Sequence, residues 1–198
     1  MSLLWPERRE LRLEPLPEEI GEAEPWRGAL GRLKAMAWPK RLDVSVVLSN
    51  HFVRYAVVPD GSAASGDEEL ALARFHFVKI HGERAKSWEV RISQGLACAI
   101  DAALLRGLRE CFPKGGKARL ASVQPRLMAA FNDARRRIPG EGAWLVLAEA
   151  ERVCLARLGA QRWASVHNAR EADWEQALER ERSRASGETL PSRVLVLP

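Results

Sequence analysis

The chain has 198 residues, of which 46% are hydrophobic and 29% charged, with a formal net charge of +5. That length suits one large domain or two small lobes, and the balance is that of a globular fold with a real core, which excludes a disordered chain. Its longest apolar stretches, such as Val44 to Leu48 and Trp144 to Ala148, fall far short of the ~18 residues of a membrane span, and the charged start at Glu7 to Glu10 argues against a secretory leader, so a soluble, cytoplasmic protein is expected.

Residues 1–40 hold Pro6, Pro15, Pro17, Pro25 and Pro39 with few β-formers, the composition of an extended, proline-broken N-terminal segment. Trp26, Leu30 and Leu33 are spaced as one face of a short helix that ends before Trp38-Pro39. This segment can pack on its own body or dock on a partner. From Leu42 the pattern sharpens. Val44, Val46 and Leu48 predict one strand and Phe52 to Val58 the next, with only Ser49-Asn50-His51 between, which predicts a tight β-hairpin closed by Pro59-Asp60-Gly61. Acidic Asp67, Glu68 and Glu69 then open a helix that Lys79, His81 and Gly82 close.

Trp88, Val90 and Ile92 alternate with charged residues as a half-exposed strand, and Leu96 to Ile100 pairs with it across Gln94-Gly95. Asp101 caps a helix with a Leu104, Leu105, Leu108, Phe112 stripe, which Lys114-Gly115-Gly116 breaks. Arg119 to Val123 reads as a strand. A helix follows with Pro125 in its first turn and Leu127, Phe131, Ala134 and Ile138 on one face. Trp144 to Ala148, Arg152 to Leu158 and Arg162 to His167 predict a three-stranded meander with short turns, one of them at Gly159-Ala160-Gln161. A polar helix from about Glu171 to Ser186 and a last strand, Arg193 to Leu197, complete the chain.

Antiparallel strands followed by β-α alternation, once nearly whole and once cut short, resembles the actin-like superfamily, in which two ribonuclease H-like lobes clasp ATP. The segment Val46-Val47-Leu48-Ser49-Asn50-His51-Phe52-Val53-Arg54 is similar to the first hairpin of the actin-like assembly M proteins of type IV pili, and the layout to the cytoplasmic domain of the type II secretion L protein. The resemblance implies an α/β fold of duplicated ribonuclease H-like lobes, the second truncated: residues 1–40 as the N-terminal segment, 41–139 as the first lobe and 140–198 as the second. It also marks departures. The family pattern Ile-Asp-Ile-Gly-Ser places a metal-positioning aspartate where Val47 stands and a phosphate-approaching glycine where Ser49 stands. Valine offers no oxygen to Mg²⁺. The second phosphate turn falls on Leu147-Ala148-Glu149-Ala150, with neither aspartate nor glycine, and the glycine pair expected after the last strand does not precede Pro198. The resemblance therefore implies a fold that has lost its nucleotide chemistry, with no cofactor. Its partners are expected among inner-membrane pilus or secretion components, and its location in the cytoplasm or peripherally at the inner membrane.

No other motif supplies catalysis. Gly95 and Gly107 lack a serine at nucleophile-elbow spacing. His76 and His81 lie about 140° apart on a helix and share no metal-binding face. Cys98, Cys111 and Cys154 have no paired spacing and read as core thiols of a reducing compartment. What remains is binding. Trp5, Trp26, Leu30 and Trp38 in the N-terminal segment are candidate anchors for a protein partner, since aromatic residues dominate such contacts. Between residues 114 and 137, Lys114, Lys117, Arg119, Arg126, Arg135, Arg136 and Arg137 face only Asp133 in charge, a basic patch that gives nucleic acid as the alternative partner.

Overall fold

A computed structural model describes residues 7–59, 65–159, 162–185 and 187–198. Trp5, the Asp60-Gly61 closure, the Ala160-Gln161 turn and the Ser186 helix end fall outside these residues. Three sheets organise the described chain.

The first sheet has Leu42–Leu48 (β2) at its centre, with Glu7–Leu13 (β1) and Ala118–Pro125 (β6) on either side, all parallel. A central parallel strand is covered on both faces and so tolerates a nearly continuous apolar run. In β2 only Ser45 escapes full burial. Val44, Val46 and Leu48 face a core shared with Arg27–Ala35 (α1) and Ala102–Cys111 (α3), the latter capped by Asp101, whose carboxylate accepts the Ala103 N–H at 2.7 Å. The helices approach closely because Gly107 has no side chain: a Cβ there would lie 2.3 Å from Leu30 Cδ2.

The second sheet, in the order β3-β5-β4, is antiparallel and built from Val53–Val57 (β3), Trp88–Ser93 (β4) and Leu96–Asp101 (β5). Gln94 and Gly95 both have positive φ at the β4–β5 turn, as a tight hairpin requires. Gly66–His81 (α2) lays Ala73 and Phe77 on this sheet, with Gly82 closing it at φ 71°.

In the third sheet Gly142–Glu149 (β7), Arg152–Gly159 (β8) and Arg162–Ala169 (β9) form the meander, and Val194–Leu197 (β10) returns parallel to β7. Trp174–Arg184 (α5) covers one face through Ala177 and Leu178, packed on Trp144, Val146 and Leu155. Arg126–Ala134 (α4) covers the other, burying Leu127, Ala130 and Ala134 against Leu145, Leu147 and Leu158. No helix of the described residues is long and apolar enough to cross a membrane.

Two expectations are corrected. The stretches around Val46 and Tyr55 form no hairpin: β2 has both edges taken by parallel strands, so β3 pairs with β5 in another sheet, and Ser49-Asn50-His51 is a crossover. Residues 7–13 of the N-terminal segment, expected to hold few β-formers, add a strand to the first sheet, while the short helix expected there is α1, which roofs its core.

Candidate functional site

The crossover Ser49-Asn50-His51 meets the β7–β8 turn at Glu149-Ala150-Glu151, so the two positions that the sequence marks as altered phosphate turns are brought together. Glu149, at the end of β7, is the hub. Its carboxylate accepts the Ser49 hydroxyl at 2.8 Å, the Asn50 backbone N–H at 3.0 Å and Arg126 Nη1 at 2.8 Å. Side-chain exposure is 5% for Glu149 and 13% for Arg126, so this is an interior ion pair rather than a surface one. Arg126 is the first residue of α4, where Pro125 ends β6 in extended backbone and starts the helix.

Around the hub the polar groups are paired between elements. His51 Nε2 lies 2.8 Å from the Ala150 carbonyl, which can only accept, so that nitrogen carries the proton. Tyr55 donates its hydroxyl to Asn50 Oδ1 at 2.7 Å. From β9, Asn168 Nδ2 donates to the carbonyls of Asn50 and Val53 at 2.9 and 3.0 Å, and Arg152 Nη1 reaches Asn168 Oδ1 at 3.2 Å. Asn50 Nδ2, Arg126 Nε and Arg152 Nε are buried without a partner. Burial holds the His51 imidazole below its ordinary value of 6.5, against the Ala150 carbonyl that favours its charged form. Burial likewise lifts the Tyr55 hydroxyl and the Cys154 thiol, and raises Cys98 to about 12, so the thiols here are inert.

Val47, at the place of the family's metal-positioning aspartate, is 3% exposed and contributes only hydrocarbon. Among the described residues no three His, Cys, Asp or Glu side chains gather as a metal centre. The network offers fixed contacts between turns.

The residues singled out for binding are scattered. Trp26 and Leu30 are 8% and 7% exposed and belong to the first core, where α1 closes over β2. Trp38 is half-buried against Phe112, with ring centroids 5.2 Å apart. In the basic stretch, Arg126 belongs to the interior hub. Arg119 grips Asp43 through two hydrogen bonds, Nε to Oδ1 at 2.9 Å and Nη2 to Oδ2 at 2.7 Å. Lys114 and Lys117 are exposed in the loop before β6, and Arg135, Arg136 and Arg137 in a single 3-10 turn after α4. Glu149 itself was not legible as a functional residue, since its partners Ser49 and Asn50 are about a hundred positions away in sequence.

Against solved structures, the chain is similar to a Bacteroides thetaiotaomicron protein with an actin-like ATPase fold and unknown function, at 8% identity and a TM-score of 0.58, covering 97% of this chain and 81% of that one. The fold is actin-like. A second similarity is to the cytoplasmic domain of EpsL, an inner membrane component of the type II secretion system of Vibrio cholerae, at 16% identity and a TM-score of 0.50 over 96% of this chain and 82% of that one. A third is to the PilM-PilN type IV pilus biogenesis complex, at 16% identity and a TM-score of 0.49 over 71% of this chain and 46% of that one. No protein-family model and no curated protein matches the sequence. The mixed α/β architecture, built of several sheets, matches this actin-like fold.

Proposed function

We propose that this actin-like chain is a non-catalytic scaffold or adaptor, with lobes at 41–139 and 140–198, that binds protein partners in a cell-envelope assembly such as a pilus or secretion system, at the cytoplasmic side of the inner membrane. One observation carries the reading. The Glu149 carboxylate occupies the Asn50 N–H and the Ser49 hydroxyl, the donors of the turn that the family resemblance assigns to phosphate. A nucleotide phosphate arriving there would meet a like charge already hydrogen-bonded and neutralised by Arg126. The missing carboxylate at Val47 adds to this, because nothing at that place would hold Mg²⁺. The similarity in fold to the secretion-system EpsL domain supports the choice of setting. The nucleic-acid alternative loses two of its cations, Arg119 and Arg126, to Asp43 and Glu149.

Thermal melts with and without Mg-ATP test the reading. Millimolar nucleotide at micromolar affinity stabilises a folded protein by about 4 kcal/mol. The expected result is no Mg²⁺-dependent shift, and a clear Mg²⁺-dependent rise in melting temperature overturns the proposal.

A further inference from the structure

A pocket of about 360 Å³ lies beside β3, lined by the segment before α1, the His51-Phe52 turn, the turn before β4 and the β5–α3 junction. That volume is in the range of small-molecule sites. Trp26, Phe52 and Trp88 give it aromatic walls. Arg54 also lines it, and the Arg54 guanidinium is only half used. Its Nη1 donates to the carbonyls of His51 and Val53, both at 3.0 Å, while Nε and Nη2 have no hydrogen-bond partner among the described residues and are not among the fully buried polar atoms. Among the described residues no acid pairs with Arg54, nor with the second cation on the wall, Arg84, whose guanidinium sits 5.8 Å from the Trp88 ring centroid.

The acids on the wall are engaged elsewhere. Asp101 caps α3 and Glu24 pairs with Arg27. Burial first, and then the charges of Arg152 and Arg84, bring Arg54 down to about 10, with Tyr55 acting the other way. A part-buried cation repelled by its neighbours is unfavourable unless an anion joins it. The same molecule shows what the unused edge takes. In Arg119, Nε and Nη2 together hold both oxygens of the Asp43 carboxylate, the bidentate geometry that suits carboxylate and phosphate alike.

We propose that this cavity is a binding site for a small oxyanion, a phosphate ester or carboxylate on a flat apolar body, held by Arg54 Nε and Nη2, with Arg84 closing on it and Trp88 flanking it. The site is built from the His51-Phe52 turn, β3, the turn before β4, the β5–α3 junction and the segment before α1. It shares His51 with the Glu149 crossover, but its cations Arg54 and Arg84 make no hydrogen bond or ion pair with Glu149 among the described residues, so it does not depend on the scaffold reading.

Titration of the full-length protein with phenyl phosphate, benzoate and, as the neutral control, phenol tests it by tryptophan fluorescence and calorimetry, without nucleotide or Mg²⁺. Saturable binding of at least one anion and none of phenol is expected; preference for phenyl phosphate assigns a phosphate ester, and preference for benzoate a carboxylate. Arg54→Gln should weaken binding about tenfold or more, the effect of losing a charge-assisted bidentate contact. Arg84 is exposed, so Arg84→Gln leaves folding intact and should weaken binding about threefold. The proposal is overturned if neither anion binds at millimolar concentration, or if the affinity of Arg84→Gln and of any folded Arg54→Gln equals that of the parent.

Discussion

Glu149 holds Ser49: the carboxylate Oε2 accepts the serine hydroxyl at 2.8 Å and, through the adjoining Asn50 N–H at 3.0 Å, fixes the crossover between the first and second sheets to the end of β7. Arg126 completes the arrangement from the start of α4, so three elements remote in sequence share one buried charge pair. A pair of this kind contributes little net stability against an apolar substitute, but loss of one member strands the other charge in the interior.

Glu149→Ala should therefore destabilise by about 3–5 kcal/mol, because Arg126 is left buried and unpaired. Glu149→Gln keeps an acceptor for Ser49 and Asn50 but not the charge, and should sit between parent and alanine variant. Urea unfolding of Glu149→Ala, Arg126→Ala and the double variant measures the coupling, expected at about 1–3 kcal/mol. Strict additivity would show that the pair is not coupled in solution.

The Asp43–Arg119 pair predicts an acid limb. The hydrogen bond from Arg119 holds the Asp43 carboxyl below its ordinary value of 3.8. A carboxylate with a lowered folded value stabilises above the unfolded value and loses that contribution as pH falls through the folded one. Arg119→Ala should lower the melting temperature at neutral pH, with the difference from parent vanishing under acid conditions below the ordinary aspartate range. Because the Arg119 side chain is 75% exposed, added salt should shrink the same difference.

His51 predicts a second limb nearer neutrality, of opposite chemical origin. Burial depresses its imidazole, with Arg152 and Arg54 adding to that direction and the Ala150 carbonyl and Glu149 opposing it. Below pH 6.5 the unfolded chain takes up a proton that the folded chain resists, so stability falls as pH drops from 7 toward 5. His51→Gln should lose about 1 kcal/mol at pH 8 through the weakened bond to Ala150, yet show a shallower decline on acidification. His81, lowered in the same direction by burial, retains the remainder of the slope. A variant whose pH profile runs parallel to the parent would remove His51 as the source.

Much of the fold is legible locally. Alternation in residues 88–92, the Asp101 cap before a leucine stripe, and the glycine stop at Gly82 each state their element within a few residues of sequence. What is not legible is partnership. β2 reads as a hairpin strand because an apolar run beside a second β-rich run suits a hairpin as well as a buried parallel strand; the choice is made by β1 and β6, more than twenty and seventy residues away. β1 itself, Glu-Arg-Arg-Glu-Leu-Arg-Leu, is mostly exposed and is a strand because β2 offers it an edge, not from its own propensity. The site follows the same rule. Val47 and Ser49 are visible as departures from a family pattern, while the Glu149 carboxylate acquires meaning only once the fold sets it on the Ser49 turn.

Gly142 offers the sharpest single-site test, because its register partner is also a glycine. In β7 it stands at φ 103°, opposite Gly159 of β8, and a Cβ on it would lie 2.0 Å from the Leu158 carbonyl oxygen. Backbone cannot retreat as a side-chain tip can, and the dihedral itself disfavours any L side chain, so Gly142→Ala should cost about 3 kcal/mol. For a chain of this size that corresponds to a fall of about 6–12 °C in melting temperature. Gly159 carries neither feature, with no atom within 4 Å of a built Cβ. Gly159→Ala should accordingly stay within about 0.5 kcal/mol of the parent. Equal melting of the two variants would show that the β7–β8 register places Gly142 elsewhere, and with it Glu149, seven residues further along the same strand.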